Sequence, residues 1–233
     1  MFDSLIAEVQ NKDRQFTVYR SGEPTEIEQW LATHGVTIRP RSLPPHWPKP
    51  FIEIKANDEV VGVIGVEAIE ALIEPPLVTP GERDGISEGY RVLFDILEKT
   101  MFSGMNRHDL LAISREIEDR AFRVGNGILK VSFQTFSTFK SQIELYRTLA
   151  TETDLDIHIY AIEDWTPPPI SGITYHVNAA ERFGAYWVLA YDGGTDETQS
   201  CGLVGKERSG EFTGFWTNNS AITEEISKTL ENA

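Results

Sequence analysis

Apolar positions recur along the chain in two rhythms, a helical one of three to four residues and a strand one of two. Phe2, Leu5, Ile6 and Val9 keep helical spacing, so residues 2–12 read as a short amphipathic helix. Gln15–Arg20 alternates like a strand. Ile27, Trp30 and Leu31 mark a helix over Pro24–His34 that stops at Gly35, and Val36–Arg39 is a short strand. This opening predicts a β-α-β unit, which favours a parallel pair. The proline-rich run Pro40–Pro50 is a loop. Phe51–Ala56 and Val60–Gly65 flank Asn57-Asp58-Glu59 and predict a hairpin.

The pattern then turns helical over Val66–Ile73, with Ala68, Ile69, Leu72 and Ile73 inward. Pro75–Gly89 is rich in Pro and Gly and predicts a long exposed connection. Tyr90–Met101 reads as a helix. His108–Val124 is a longer one, with Leu110, Ile113, Ile117, Ala121 and Val124 in a single stripe and Gly125 as its left-handed cap. Arg115 with Asp119, and Glu116 with Arg120, stand four residues apart and are expected on its wet face. A strand at Ile128–Gln134, a helix at Phe139–Thr151 and a strand at Asp156–Ile162 follow. The last third predicts strands at Thr174–Val177, Tyr186–Tyr191, Gly202–Glu207 and Glu211–Thr217. Their turns carry Asp192-Gly193-Gly194 and Arg208-Ser209-Gly210, and a helix closes at Ile222–Leu230.

The succession predicts an α/β protein, with α+β as the alternative. Its parts are a mixed β-sheet flanked by helices, an antiparallel C-terminal hairpin region and a C-terminal helix. We expect a single domain over residues 1–233; two halves, 1–75 and 90–233, are the alternative. With 233 residues and 40% hydrophobic content, the chain can bury a sizeable core. The net charge of −15 repels nucleic-acid backbones and anionic membranes, so neither is an expected partner. It suits a high-salt, halophilic source as well as it suits an ordinary acidic protein. One cysteine, Cys201, excludes an internal disulfide. No apolar run approaches the ~20 residues of a membrane helix, and a cytoplasmic location is expected.

Chemical motifs are scarce. The five histidines share no metal-ligand spacing, and Asp154, Asp156 and His158 read as a solvated strand end. Gly202-Leu203-Val204-Gly205-Lys206 lacks the spacer of a P-loop, and no GxSxG elbow exists. Cys201 reads as a small packing residue. Two sets of residues could bind rather than pack. The helix carrying Arg115, Glu116, Glu118, Asp119, Arg120 and Arg123 is first a salt-bridged surface, but its arginine forks suit a carboxylate or phosphate. The aromatic set Phe133, Phe136, Phe139, Trp187, Tyr191, Phe212, Phe215 and Trp216 is first core, but could wall a pocket. The ligand-binding candidates are Arg115, Asp119, Arg120, Phe133, Gln134, Trp187 and Trp216. No catalytic residue, metal ligand or cofactor is assigned.

Thr100-Met101-Phe102, then SREIEDRAFRVGNG from Ser114 and FQTFS from Phe133, resemble the centre of the DICT sensory domain. The later pieces TPPPISGITYHV, WVLAYDGG, SCGLVGKER and GFWTNN resemble the end of the single-domain haloarchaeal members. The first 75 residues match only in general layout. The resemblance implies a non-catalytic sensor of a small-molecule or light-related signal. In bacteria the domain is joined to diguanylate cyclases, histidine kinases and transcription regulators. No such segment is visible here, so a separate signalling protein or transcription regulator is the expected partner, with a homodimer as the expected assembly. Two other functions stay open. One is an adaptor binding through residues 40–50 or 75–89, and the other is a small-molecule enzyme of unrecognised class.

Overall fold

A computed structural model describes residues 2–8, 14–24, 26–33, 37–47, 49–56, 58–66, 101–177 and 184–232. The expectations for Val9, for the helix after Val66, for the Pro75–Gly89 connection and for the helix from Tyr90 to residue 100 lie outside the described residues.

Helix α1 (Phe2–Glu8) precedes β1 (Arg14–Arg20), α2 (Glu26–Thr33) and β2 (Thr37–Ser42), and β1 and β2 are parallel. β3 (Phe51–Ala56) and β4 (Glu59–Gly65) form the expected hairpin, and β3 runs antiparallel to β1. The resulting sheet has the order β2-β1-β3-β4. Residues Pro40–Ser42, expected as loop, extend β2. An edge strand tolerates proline because one side of it needs no ladder donor.

A second sheet of seven strands begins with β5 (Met101–Met105), which the sequence pattern had not revealed. Five residues with a glycine at φ 79° carry too little alternation to show a strand. Then come α3 (Arg107–Val124), β6 (Asn126–Thr135), a short helix α4 (Phe136–Phe139), a 3-10 turn (Lys140–Gln142), α5 (Ile143–Glu152), β7 (Asp154–Ile162) and β8 (Ile173–Val177). β9 (Tyr186–Tyr191), β10 (Cys201–Arg208), β11 (Glu211–Thr217) and α6 (Ser220–Glu231) complete the chain. The order is β5-β11-β10-β9-β6-β7-β8, antiparallel from β5 to β6 and parallel from β6 to β8.

Alternation sorts the strand side chains onto two buried faces. Leu129, Val131, Ile157, Leu189, Tyr191 and Leu203 share a cluster with Leu110, Ile113 and Ile117 of α3 and with Tyr146 and Leu149 of α5. The same cluster runs on to Phe16, Val18 and Ile52 of the first sheet and to Ile27 of α2. Tyr186, Val188, Ala190, Val204 and Phe215 pack on the other face against Phe2 and Leu5 of α1 and Ile226 and Leu230 of α6. β9 is covered on both faces, which is why YWVLAY reads as an unbroken apolar run.

The glycines of the Val124–Gly127 stretch close one corner of this frame. Gly125 caps α3 at φ 75°, and its N–H donates to the Ala121 carbonyl at 2.9 Å. Asn126 Oδ1 then accepts the Thr195 N–H, while Asp192 Oδ1 accepts from the N–H groups of Ile128 and Gly194, each at 2.9 Å. Gly127 stands at φ 106°, and a Cβ there would lie 2.6 Å from the Gly194 Cα. Gly127→Ala should therefore lose roughly 2–4 kcal/mol, from left-handed strain and a backbone clash together. Gly210→Ala, at φ 87° with open space around it, should lose only about 1–2 kcal/mol. Urea midpoints of the two variants measure the difference.

Candidate functional site

The N-cap of α3 is Asn106, whose Oδ1 accepts the Asp109 N–H at 3.0 Å. From there the apolar stripe Leu110, Ile113, Ile117 and Ala121 lies fully on the sheet. The charged flanks, expected to be wet, are buried as well: Glu116 is 0% exposed, Glu118 3% and Arg120 7%. The reason is geometric. α5 closes one flank of α3 and the end of β11 closes the other, so the charges must pair inside.

On the α5 side, Arg115 donates to Glu118 and to Gln142, and the Tyr146 hydroxyl donates to Glu118 Oε1 at 2.6 Å. Burial opposes the Arg115 charge, but Glu118 outweighs it and holds the guanidinium protonated. Burial, then Glu118, pushes the Tyr146 hydroxyl well above its ordinary range. On the opposite flank Arg120 donates to Asn218 Oδ1 at 2.9 Å, and Glu116 Oε1 lies 3.5 Å from Arg120. Glu116 Oε2 is buried with no hydrogen-bond partner among the described residues. Beside this flank Cys201 is buried, and burial lifts its thiol to about 12, so it is inert as a nucleophile.

A cleft opens where the N-terminal half of α3 faces the end of β6 and strands β9 to β11. Val131 and Leu189 form its floor; Phe133, Tyr146, Trp187 and Phe212 are its aromatic walls. Phe133 meets Tyr146 at 5.8 Å between ring centres, and Trp187 meets Phe212 edge-on at 6.0 Å. Gln134 Nε2 donates to Glu207 Oε2 at 2.6 Å within it. At the mouth, the Arg107 guanidinium stands 5.6 Å above the Trp187 ring. The cleft holds about 550 Å³ of empty space, mouth included, yet only about 30 Å³ of that admits the centre of a water molecule. At roughly 10–15 Å³ per water, this closed form admits two or three waters.

Four of the seven candidates, Arg115, Phe133, Gln134 and Trp187, meet around this cleft. Asp119, Arg120 and Trp216 stand elsewhere. Asp119 pairs with Arg123 one turn on, and Arg120 is committed to the far flank. Trp216 is 2% exposed and stacks 6.1 Å from Phe102 in the core. Glu207 and Arg107 were not anticipated. Glu207 follows Leu203 and Gly205 in steps of two on the α3 face of β10, and a charge in that inward register was the available signal. A wider hollow beneath α6 offers about 500 Å³ to water centres, but Ser, Thr, Asp and Glu dominate its lining and no aromatic wall is present. Without an aromatic ring, the hollow offers a ligand no flat face to stack on.

The strand end expected to be solvated also differs. Asp156 is exposed, but His158 is half-buried, 3.2 Å from Asp156 Oδ2 through Nε2 and 2.9 Å from His176 Nε2 through Nδ1. His176 stacks on Tyr160 at 4.4 Å. Among the described residues no group of three or more His, Cys, Asp or Glu is arranged to hold a metal.

A family profile described as a sensory domain in diguanylate cyclases and two-component systems, DICT, matches residues 93–208. Residues 93–208 thus carry a DICT sensory domain. The DICT match covers close to half of the chain and contains every cleft residue except Phe212. No curated protein matches the chain. Among solved structures, polyphosphate kinase from Porphyromonas gingivalis aligns at 12% identity with a TM-score of 0.39, over 99% of this chain and 48% of its own. The chain thus spans about half the length of that kinase, and a likeness this loose carries no argument about function. No helix among the described residues is long and apolar enough to cross a membrane.

Burial, then the neighbouring His158 charge, lowers the His176 pKa below its usual 6.5. Folding therefore favours the neutral ring. The stabilisation is complete above about pH 6.5 and is lost as pH falls through the depressed folded value. The urea midpoint should drop between about pH 7 and about pH 5 by more in the wild type than in His176→Gln.

Proposed function

We propose that this chain is a non-catalytic sensory unit that takes up a small molecule in the α3 cleft and relays its occupancy to a separate signalling protein or transcription regulator. The DICT match over residues 93–208 supports the sensory part of this proposal. The observation that carries the ligand is the cleft itself. It is walled by aromatic rings, furnished with a few convergent polar groups, and lies almost wholly within the family match. Its narrowness supplies the signal. A ligand larger than a few waters must move Arg107 or a wall, so the liganded and free states differ in shape, and differential affinity can shift one into the other. The sensing unit spans residues 1–233 as one domain, works in the cytoplasm and pairs as a homodimer.

A second function, the ligand-free adaptor, draws on one observation. Trp47 is 50% exposed in the proline-rich loop, its ring tilted against Phe51 with the centres 4.4 Å apart. An exposed tryptophan on a fixed aromatic base suits a protein contact.

Native mass spectrometry with a UV–visible spectrum, on protein purified in high salt, separates the two. The sensor predicts a reproducible extra mass that is lost in Trp187→Ala and unaffected in Trp47→Ala. A clean apoprotein mass in wild type, together with partner capture abolished by Trp47→Ala, would replace it with the adaptor.

A further inference from the structure

The polar groups of the cleft are unevenly supplied. Arg115 and Glu118 satisfy one another with Gln142 and Tyr146, so they are spent on the structure. What remains open is acceptor-rich. Glu207 uses one oxygen for the Gln134 amide; among the described residues nothing bonds its other oxygen or the Gln134 carbonyl. A carboxylate accepts at about four lone-pair sites and donates at none when ionised. A group completing this site must therefore bring N–H donors.

The aromatic side supplies the second constraint. The one group stacked on Trp187 from the mouth is Arg107, a flat cation with a fork of N–H donors. Its hold is weak. It sits at the outer edge of cation–π range, near 6 Å. It is also the first residue of α3, where the positive end of the helix dipole repels a cation. No hydrogen bond or ion pair fixes its guanidinium among the described residues. Arg107 therefore behaves as a displaceable plug that shows what shape the Trp187 face accepts.

Resting on the ligand-binding proposal above, we infer that the cleft recognises a planar cationic group with adjacent N–H donors, of the amidine, guanidinium or protonated 2-amino-heterocycle class. The group displaces Arg107, stacks on Trp187 with Phe212 edge-on beside it, and donates to the free oxygen of Glu207. Glu207 selects for donors and charge; the aromatic pair selects for flatness. An anion of the same size and flatness is rejected by the same carboxylate.

Benzamidine and benzoate, equal in shape and opposite in charge, are the probes. Each is titrated calorimetrically into the full chain and into Arg107→Ala, Glu207→Gln and Glu207→Asp variants whose melting confirms that they fold. Benzamidine should bind the wild type and bind Arg107→Ala at least about threefold tighter, because the plug is gone. It should bind Glu207→Gln about tenfold more weakly, as a charged hydrogen bond becomes a neutral one, with Glu207→Asp showing a loss of the same direction should the glutamine variant not fold. Benzoate should not bind. Benzoate binding to Arg107→Ala in place of benzamidine would overturn the ligand class and leave the cleft as a ligand site. Neither probe binding to that opened variant would overturn this inference, while the native mass of the purified wild type would still decide the sensory proposal separately.

Discussion

The structure turns on a helix that must hide charges. α3 has too narrow an apolar stripe to be covered on one side only; α5 and the end of β11 close over its flanks, taking Glu116, Glu118 and Arg120 out of water. An ionised carboxylate left alone there would cost several kcal/mol, so the buried charges must be paired. Glu118 finds Arg115 and Tyr146, and thereby fixes α5 beside α3. Arg120 finds Asn218, and thereby fixes the chain between β11 and α6. Register between helix and sheet follows from these bonds, because sliding α3 by one residue would leave buried charges unpaired.

The cleft is a consequence of the same arrangement. Arg115 is drawn toward Glu118 and Gln142, which keeps its fork out of the space between α3 and β9. Phe133 is held against Phe139 and Tyr146, and Trp187 against Phe212, so the aromatic walls stand on the rigid sheet and on α5 rather than on loops. The mouth, in contrast, is closed by one exposed side chain at a helix start. A rigid wall with a soft mouth suits a module that reports occupancy, because most of the binding free energy can go into moving the mouth.

Much of this architecture was legible in the order of residues, for identifiable reasons. Strands with a two-residue rhythm, helices with a clear stripe and the turn at Ser209-Gly210, with φ of 54° and 87°, all announce themselves locally. β5 did not, since Met101–Met105 is short and gains its strand form only by pairing with β11. The charged face of α3 misled in a specific way. Arg and Glu at four-residue spacing fit an exposed helix equally well, and only the packing of α5 and β11 decides between the two environments. Half of the cleft was visible as Phe133-Gln134 and Trp187. Glu207 and Arg107 were not, because a single charge in a strand or at a helix start takes its meaning from what faces it across the sheet. The His158–His176 contact escaped for the same reason, as eighteen residues separate the two rings and only the parallel pairing of β7 and β8 brings them together.

The claim beneath the whole account is that the charged flank of α3 is an interior feature and not a surface one. A double-mutant cycle on Arg115 and Glu118, using Arg115→Met and Glu118→Gln with stabilities from urea unfolding, tests it most directly. A buried, hydrogen-bonded pair predicts a coupling above about 1.5 kcal/mol. A coupling of roughly 0.3–0.5 kcal/mol, the value of an exposed pair along a helix, would contradict the buried flank and with it the geometry of the cleft.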